Sequence, residues 1–259
     1  GALYLTGTFS AGSVHETGWL KLGFGSVAVP GGVSVTGDMY VSNVSTVTAD
    51  AAVSGTVWDA GVLTVNDHLD AKRFVMQGGG GLAGTGDVHV DSGVLEIQSG
   101  GGINFGGTWN IGTVTMGGEQ TVLVSQLPAA FSGLLQVQQG NLVMQNGGQG
   151  SNALVQVSAA GARVTLTNGT FTNSIQLMNA AGDGTGALIG SPTQPSTSIL
   201  QGSLDVGTSG STVGGTLTLA GGVTGGTLTA VGQETLTSTA ALTGDVVVDG
   251  GVLGLQGDG

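Results

Sequence analysis

The residues able to do chemistry are few, and one short stretch holds most of them. Asp67, His68, Asp70, Lys72 and Arg73 fall within Asn66-Asp-His-Leu-Asp-Ala-Lys-Arg73, the only charge-dense segment of the chain. Two carboxylates held about 5–9 Å apart can hydrolyse a glycosidic bond. A neighbouring Lys or Arg can hold an anionic sugar. The combination describes a carbohydrate site, with Asp67 and Asp70 doing acid–base or calcium work and Lys72 or Arg73 as the anchor. Against it, the chain has no Asp-Asp dipeptide and no Gly-His-Gly, and only four basic residues. The plainer expectation for 66–73 is a solvated loop with a weak ligand-binding role and no catalytic residue.

Other groups offer less. Asp87 and Asp91 recur as Asp245 and Asp249, and carboxylates repeated at a corner are weak calcium candidates. Calcium-binding nonapeptide rolls need Gly-Gly-x-Gly-x-Asp in tandem, of which Gly84-Thr-Gly-Asp87 is a fragment. Turn-capping carboxylates and no cofactor are therefore expected. Gly207-Thr-Ser209-Gly-Ser211 resembles the nucleophile segment of chymotrypsin-like proteases, with Thr208 where an Asp belongs. A triad also needs a His held by a carboxylate beside the serine, and His15, His68 and His89 have no matching context. A Gly/Ser corner is expected there. Tyr4, Trp19, Tyr40, Trp58 and Trp109 would stack on sugar rings if exposed in a row; otherwise they pack against the core. Asn43-Val-Ser and Asn168-Gly-Thr are glycosylation sequons, frequent by chance in so polar a chain.

What positions these residues is a repeat. Val88-His-Val-Asp-Ser-Gly93-Val-Leu-Glu-Ile97, Leu135-Gln-Val-Gln-Gln-Gly140-Asn-Leu-Val-Met144 and Val246-Val-Val-Asp-Gly-Gly251-Val-Leu-Gly-Leu255 share one plan. Each is a short alternating strand, a glycine corner and a second alternating strand. Candidate corners are Gly32, Gly61, Gly93, Gly118, Gly140, Gly161, Gly182, Gly222 and Gly251, mostly spaced by roughly 20–30 residues. Glycine at these corners would supply the positive φ of a sharp turn. Asn146-Gly147 and Asn168-Gly169 are hairpin signals, but the inward residues recur at coil length. The expected fold is all-β, a parallel β-helix of about ten to twelve coils, with a sandwich or barrel as the alternative. No linker divides the chain, so residues 1–259 are read as one domain. Loops leaving the solenoid are expected at 66–73 and 191–198, with milder breaks at 48–52 and 126–130.

Composition agrees. Of 259 residues 53 are glycine and 4 proline, without a Gly-X-Y period, which excludes collagen. Hydrophobic residues at 39% and a positive mean hydropathy argue against disorder. No amphipathic helical segment is present; Ala129-Ala130 and Ala159-Ala160 allow a single turn each. The formal net charge of -12 excludes nucleic acid and disfavours anionic lipid as partners, because phosphate binding needs a basic stripe. No apolar run approaches a membrane span, so no membrane insertion is expected. The chain has no cysteine, which stacked coils can do without. It starts without Met and stops inside a repeat, the expected look of a segment of something longer.

Phe131-Ser-Gly-Leu-Leu-Gln-Val137-Gln-Gln-Gly140-Asn-Leu142 resembles the autotransporter-associated β-strand repeat: an apolar residue, Ser/Thr-Gly, a strand ending in Val, two residues, then Gly-x-Leu. Leu242-Thr-Gly-Asp-Val-Val-Val248-Asp-Gly-Gly251-Val-Leu253 fits too, and Leu82 to Leu95 fits with two extra residues. Clear matches cover about a quarter of the chain. The resemblance implies a right-handed, single-stranded β-helix exported to the extracellular space or bacterial cell surface. It implies a structural or adhesive role toward a host or neighbouring cell surface, toward glycans, or through self-association. A carbohydrate-active enzyme or polysaccharide-binding module is the alternative, and a self-associating filament subunit a further one. These 259 residues contain neither the β-barrel translocator of autotransporters nor the Asn-Pro-rich motifs of two-partner-secreted haemagglutinins. The resemblance therefore bears on the solenoid and not on the export route.

Overall fold

Val, Leu, Ile and Met at alternate positions give each short segment one apolar face, and such a face must be covered. The chain solves this by coiling. The computed structural model describes residues 1–7, 9–10, 13–28, 32–118, 120–145, 152–179, 181–184, 186–190, 198–231, 235–238, 242–249 and 252–255. Among them there is no helix. The strands pair in parallel, coil upon coil, as a β-solenoid of about 11 turns. Contacts divide the chain into two compact units, Gly1–Gly118 with Gln126–Ala129, and Glu119–Ser125 with Ala130–Gly259.

In the first unit each coil contributes to three columns of parallel strands. The first face stacks Val14–Glu16, Val33–Val35, the leading halves of Ala51–Asp59 and His68–Met76, then Asp87–Val90 and Thr108–Asn110. The second stacks Ala2–Thr6, the start of Trp19–Ala28, Met39–Val41, the trailing halves of Ala51–Asp59 and His68–Met76, then Val94–Ile97 and Thr113–Met116. The third includes Val44–Val47, Val62–Val65, Gly81–Gly84 and Gly101–Phe105. Like side chains therefore sit on like. On the second face Leu20, Met39, Val57, Phe74, Leu95 and Val114 form one buried column.

The second unit repeats the scheme. Leu135, Val155, Ile175, Leu204 and Val223 stack inward in register. So do Val122, Leu142, Val164, Leu188, Val213 and Ala230. Outside, Gln136, Gln156 and Gln176 follow one another, and the Gln136 Nε2 donates to Gln156 Oε1 at 3.2 Å. Such amide ladders satisfy a surface without charge.

The corners hold two surprises. Gly32, Gly93, Gly140, Gly161 and Gly182 have the expected positive φ, whereas Gly61, Gly118 and Gly222 do not. For the first two the reason is space: a Cβ on Gly61 would meet the Asn43 carbonyl oxygen at 2.2 Å, and one on Gly118 that of Gln98 at 2.2 Å, while nothing crowds Gly222. Asn168-Gly169 closes no hairpin. Asn168 has φ 57°, and the flanking strands Arg163–Thr167 and Gly169–Phe171 each pair in parallel with a later coil. Asn146-Gly147 and Gly251 lie outside the described residues, as do 191–197.

The largest correction concerns 66–73. It is no excursion: His68–Met76 is a nine-residue strand paired to coils on both sides. Leu69 and Ala71 point inward and are buried, while His68 and Asp70 face out on the same strand. Charge density marked the solvent side of a strand rather than a loop, because period-two alternation leaves every second residue free to be polar. The break at 48–52 is likewise a corner followed by strand from Ala51, and the segment near Gln126–Ala130 is irregular as expected.

Candidate functional site

Strand register builds an aromatic groove on the second face of the first unit. Tyr4, Lys21, Tyr40 and Trp58 occupy one outward column in successive coils. Lys21 interrupts the rings, but Trp19 lies two residues earlier on the same side of the same strand. One ring per coil results. Centroids are 5.1 Å apart from Tyr4 to Trp19, 5.7 Å from Trp19 to Tyr40 and 6.5 Å from Tyr40 to Trp58. The first two steps are edge-to-face, at 78° and 77°, and the third is stacked at 12°. Edge-to-face steps leave ring faces open that a continuous pile would consume. Tyr4 is 61% exposed and Tyr40 37%, with both indoles half-buried.

A single carboxylate organises one end of this groove. Asp38 Oδ1 accepts the Thr56 N–H at 2.7 Å, and its Oδ2 accepts the Trp58 indole N–H at 3.2 Å and a longer contact from the Tyr40 hydroxyl at 3.5 Å. The Lys21 Nζ sits 6.0 Å from the Tyr4 ring centre, within range of a cation–π attraction. The groove has a volume of about 420 Å³ and is bordered also by Ser42 and Gln77. Asp38 escaped the sequence reading because nothing in its local sequence distinguishes it; only register brings it under Trp58.

The charged residues of 66–73 are partly brought together. Asp70 stands between two imidazoles: His68 Nε2 lies 3.1 Å from its Oδ2 and His89 Nδ1 lies 3.0 Å from its Oδ1. His89 Nε2 is 3.7 Å from Asp91, which extends the chain of polar groups. Asp70 and His89 meet because they are register partners on adjacent coils. A shallow cavity of about 280 Å³ runs beside them, with His15, Ser34 and Asp50 on its walls. Arg73 is directed elsewhere. Its Nε and Nη2 hold Glu96 in a two-point ion pair at 2.7 and 2.6 Å. That hydrogen bonding holds the Glu96 carboxyl below its usual range and raises the Arg73 guanidinium further. Lys72 and Asp67 are exposed. The five residues therefore do not form one site.

A buried acid was not anticipated. Asp59 occupies an inward position in the column Leu22, Val41, Asp59, Met76, Ile97 and Met116. It is fully buried; its Oδ1 accepts the Gly61 N–H at 3.2 Å, and its Oδ2 has no partner among the described residues. Burial pushes its pKa up to about 8, with the N–H groups of Gly61 and Gly81 acting in the opposite direction.

The remaining candidates separate. Among the described residues no group of three or more His, Asp or Glu could hold a metal ion. Asp87 and Asp91 belong to the first unit, Asp245 and Asp249 to the second, and all four are exposed. Ser209 lies exposed on a turn, while the buried Ser211 hydroxyl donates between the carbonyls of Leu177 and Val206 at 2.9 and 3.0 Å. That is the binding pattern of a corner. Trp109 is not part of the aromatic row: it follows Val88 in an inward column and stacks on Phe105 at 5.7 Å. The chain matches no protein-family profile, no curated protein and no solved structure.

Proposed function

We propose that this chain is a structural and adhesive segment of a bacterial secreted or cell-surface β-solenoid of the autotransporter-passenger kind, working outside the cell. The observation that carries the reading is the in-register stack. Its inward columns are apolar over coil after coil with Asp59 as the exception, so the outward positions are free to vary without disturbing the fold. Those positions carry neutral amides and hydroxyls, a few charged groups such as the Arg73–Glu96 pair, and one row of exposed rings. The repeat that prompted the resemblance folds as its pattern requires: Leu134–Val137, a corner at Gly140 with φ 72°, then Asn141–Gln145. Beads coated with the protein should adhere to bacterial or host-cell surfaces above the level of beads coated with an unrelated acidic protein. Equal retention of the two would remove the adhesive part of the proposal.

A second reading, a carbohydrate-active enzyme, is favoured by one observation, the placing of Asp70 between His68 and His89. It requires cleavage in a polysaccharide panel that Asp70→Ala abolishes. Product formation unchanged by that substitution, or none at all, rules it out.

A further inference from the structure

We infer that the groove lined by Tyr4, Trp19, Lys21, Tyr40 and Trp58 is a binding site for an uncharged, extended polysaccharide whose sugar units are flat pyranoses with equatorial substituents. This deepens the adhesive reading, on which its biological meaning rests, by naming what the surface would hold.

Three observations converge. The first is the row of rings. A pyranose with equatorial hydroxyls presents an apolar face of C–H groups, which packs on an aromatic ring while its hydroxyls project sideways. The 5.1, 5.7 and 6.5 Å ring spacings are close to the advance of one sugar unit in an extended chain. Tyr40 and Trp58, only 12° apart in plane, can take sugar units on similarly oriented rings, while Trp19, turned 78° and 77° from the two tyrosines, meets the polymer at a different angle.

The second observation is the polar border. Sugar binding needs a few fixed donors and acceptors beside an apolar floor. Asp38 lies outside the groove lining and accepts the Trp58 indole N–H, so that ring is positioned before any ligand arrives. Lys21, Ser42 and Gln77 supply the polar groups of the groove itself. Ordering these side chains in advance lowers the entropy lost on binding.

The third is charge. The groove carries one ammonium and no carboxylate among its lining residues, in a chain with a formal net charge of -12. A polyanion would be repelled at long range and would find only Lys21 at short range. An uncharged polymer meets no such penalty. The groove is open, as a site for an internal stretch of polymer must be, and its rings and Lys21 stand on strands, with Ser42, Ala60 and Gln77 just past strand ends.

The test uses the full chain, with cellohexaose as the probe and an alginate hexasaccharide as the anionic control. Tryptophan fluorescence should change saturably with cellohexaose and stay unchanged with alginate. Trp19→Ala, and independently Tyr4→Ala at its exposed position, should each weaken binding about three- to tenfold, the worth of one lost stacking contact. Tyr4→Ala guards against a Trp19 variant that fails to fold, and far-ultraviolet circular dichroism checks both. Absence of saturable binding, tighter binding of alginate, or binding unmoved by both substitutions overturns the inference. The bead assay is run on the same variants. Beads that adhere while cellohexaose does not bind leave the adhesive reading standing and the glycan inference overturned. Saturable cellohexaose binding by a protein whose beads do not adhere has the reverse meaning.

Discussion

Asp59 should make this solenoid less stable as pH rises, and replacing it by Asn should remove that dependence. Its carboxyl is raised from 3.8 to about 8 in the fold. Between those values the native state holds a proton that the unfolded chain has released, so stability falls with increasing pH. The contribution is fully present below about pH 4, declines through the neutral range, and is exhausted once the folded group ionises near pH 8. At about 1.4 kcal/mol per pH unit the full loss is on the order of 5 kcal/mol. Asp59→Asn retains the oxygen that accepts from Gly61 and cannot ionise. At pH 4 the two proteins should differ by no more than about 1 kcal/mol, because the amide nitrogen replaces an oxygen that also lacks a partner. At pH 9 the variant should be more stable by several kcal/mol, raising the thermal midpoint by roughly 10 °C. Melting curves at intervals from pH 4 to 9 check this, and the difference between the two proteins cancels every other titrating group. A difference that does not grow with pH, or a wild-type midpoint that rises from pH 5 to 8, would refute the reasoning.

Phe74→Ala empties the centre of a column running from Leu20 to Val114 and should cost about 3–5 kcal/mol in chemical denaturation, whereas the exposed Lys72→Ala should cost almost nothing. Gly107→Ala should destabilise by about 1–3 kcal/mol although its φ is ordinary, because the new Cβ would lie 1.8 Å from the Gly86 carbonyl oxygen; an unchanged denaturation midpoint would show that the corner can open. Glu96→Gln should lower the thermal midpoint at pH 6 and lower it less as the pH is brought down below 4.5, since a carboxyl held below 4.5 stabilises above that value and loses its contribution as pH falls through its folded pKa. Calorimetry across that pH range reads the difference.

Much of the architecture was legible in the residues. Alternation of Val and Leu with polar residues located the strands of the repeat copies, and glycine corners at coil-length intervals implied parallel stacking. The site was legible only in its ingredients. Tyr4, Trp19, Tyr40 and Trp58 could be named as ring candidates, but so could Trp109, and nothing local separated the four that face out from the one that packs on Phe105. The charged stretch misled, since Leu69 and Ala71 between its charges are the inward residues of a strand. Asp59 was missed for the complementary reason: Trp58-Asp59-Ala60-Gly61 reads as a polar corner, yet the strand continues through Asp59 and turns it inward.

The sequence by itself determined the coil, because a two-residue period and glycine at sharp corners are local properties that short-range sterics enforce. Only the tertiary structure decided which residues from different coils become neighbours. Register is set by the whole stack, and a shift of one residue would turn every side chain to the opposite face. Tyr40 on Trp58, Asp70 on His89 and Asp59 between Val41 and Met76 are all consequences of register. Pairings between coils, far apart in the chain, place the rings in a row and Asp59 in the core.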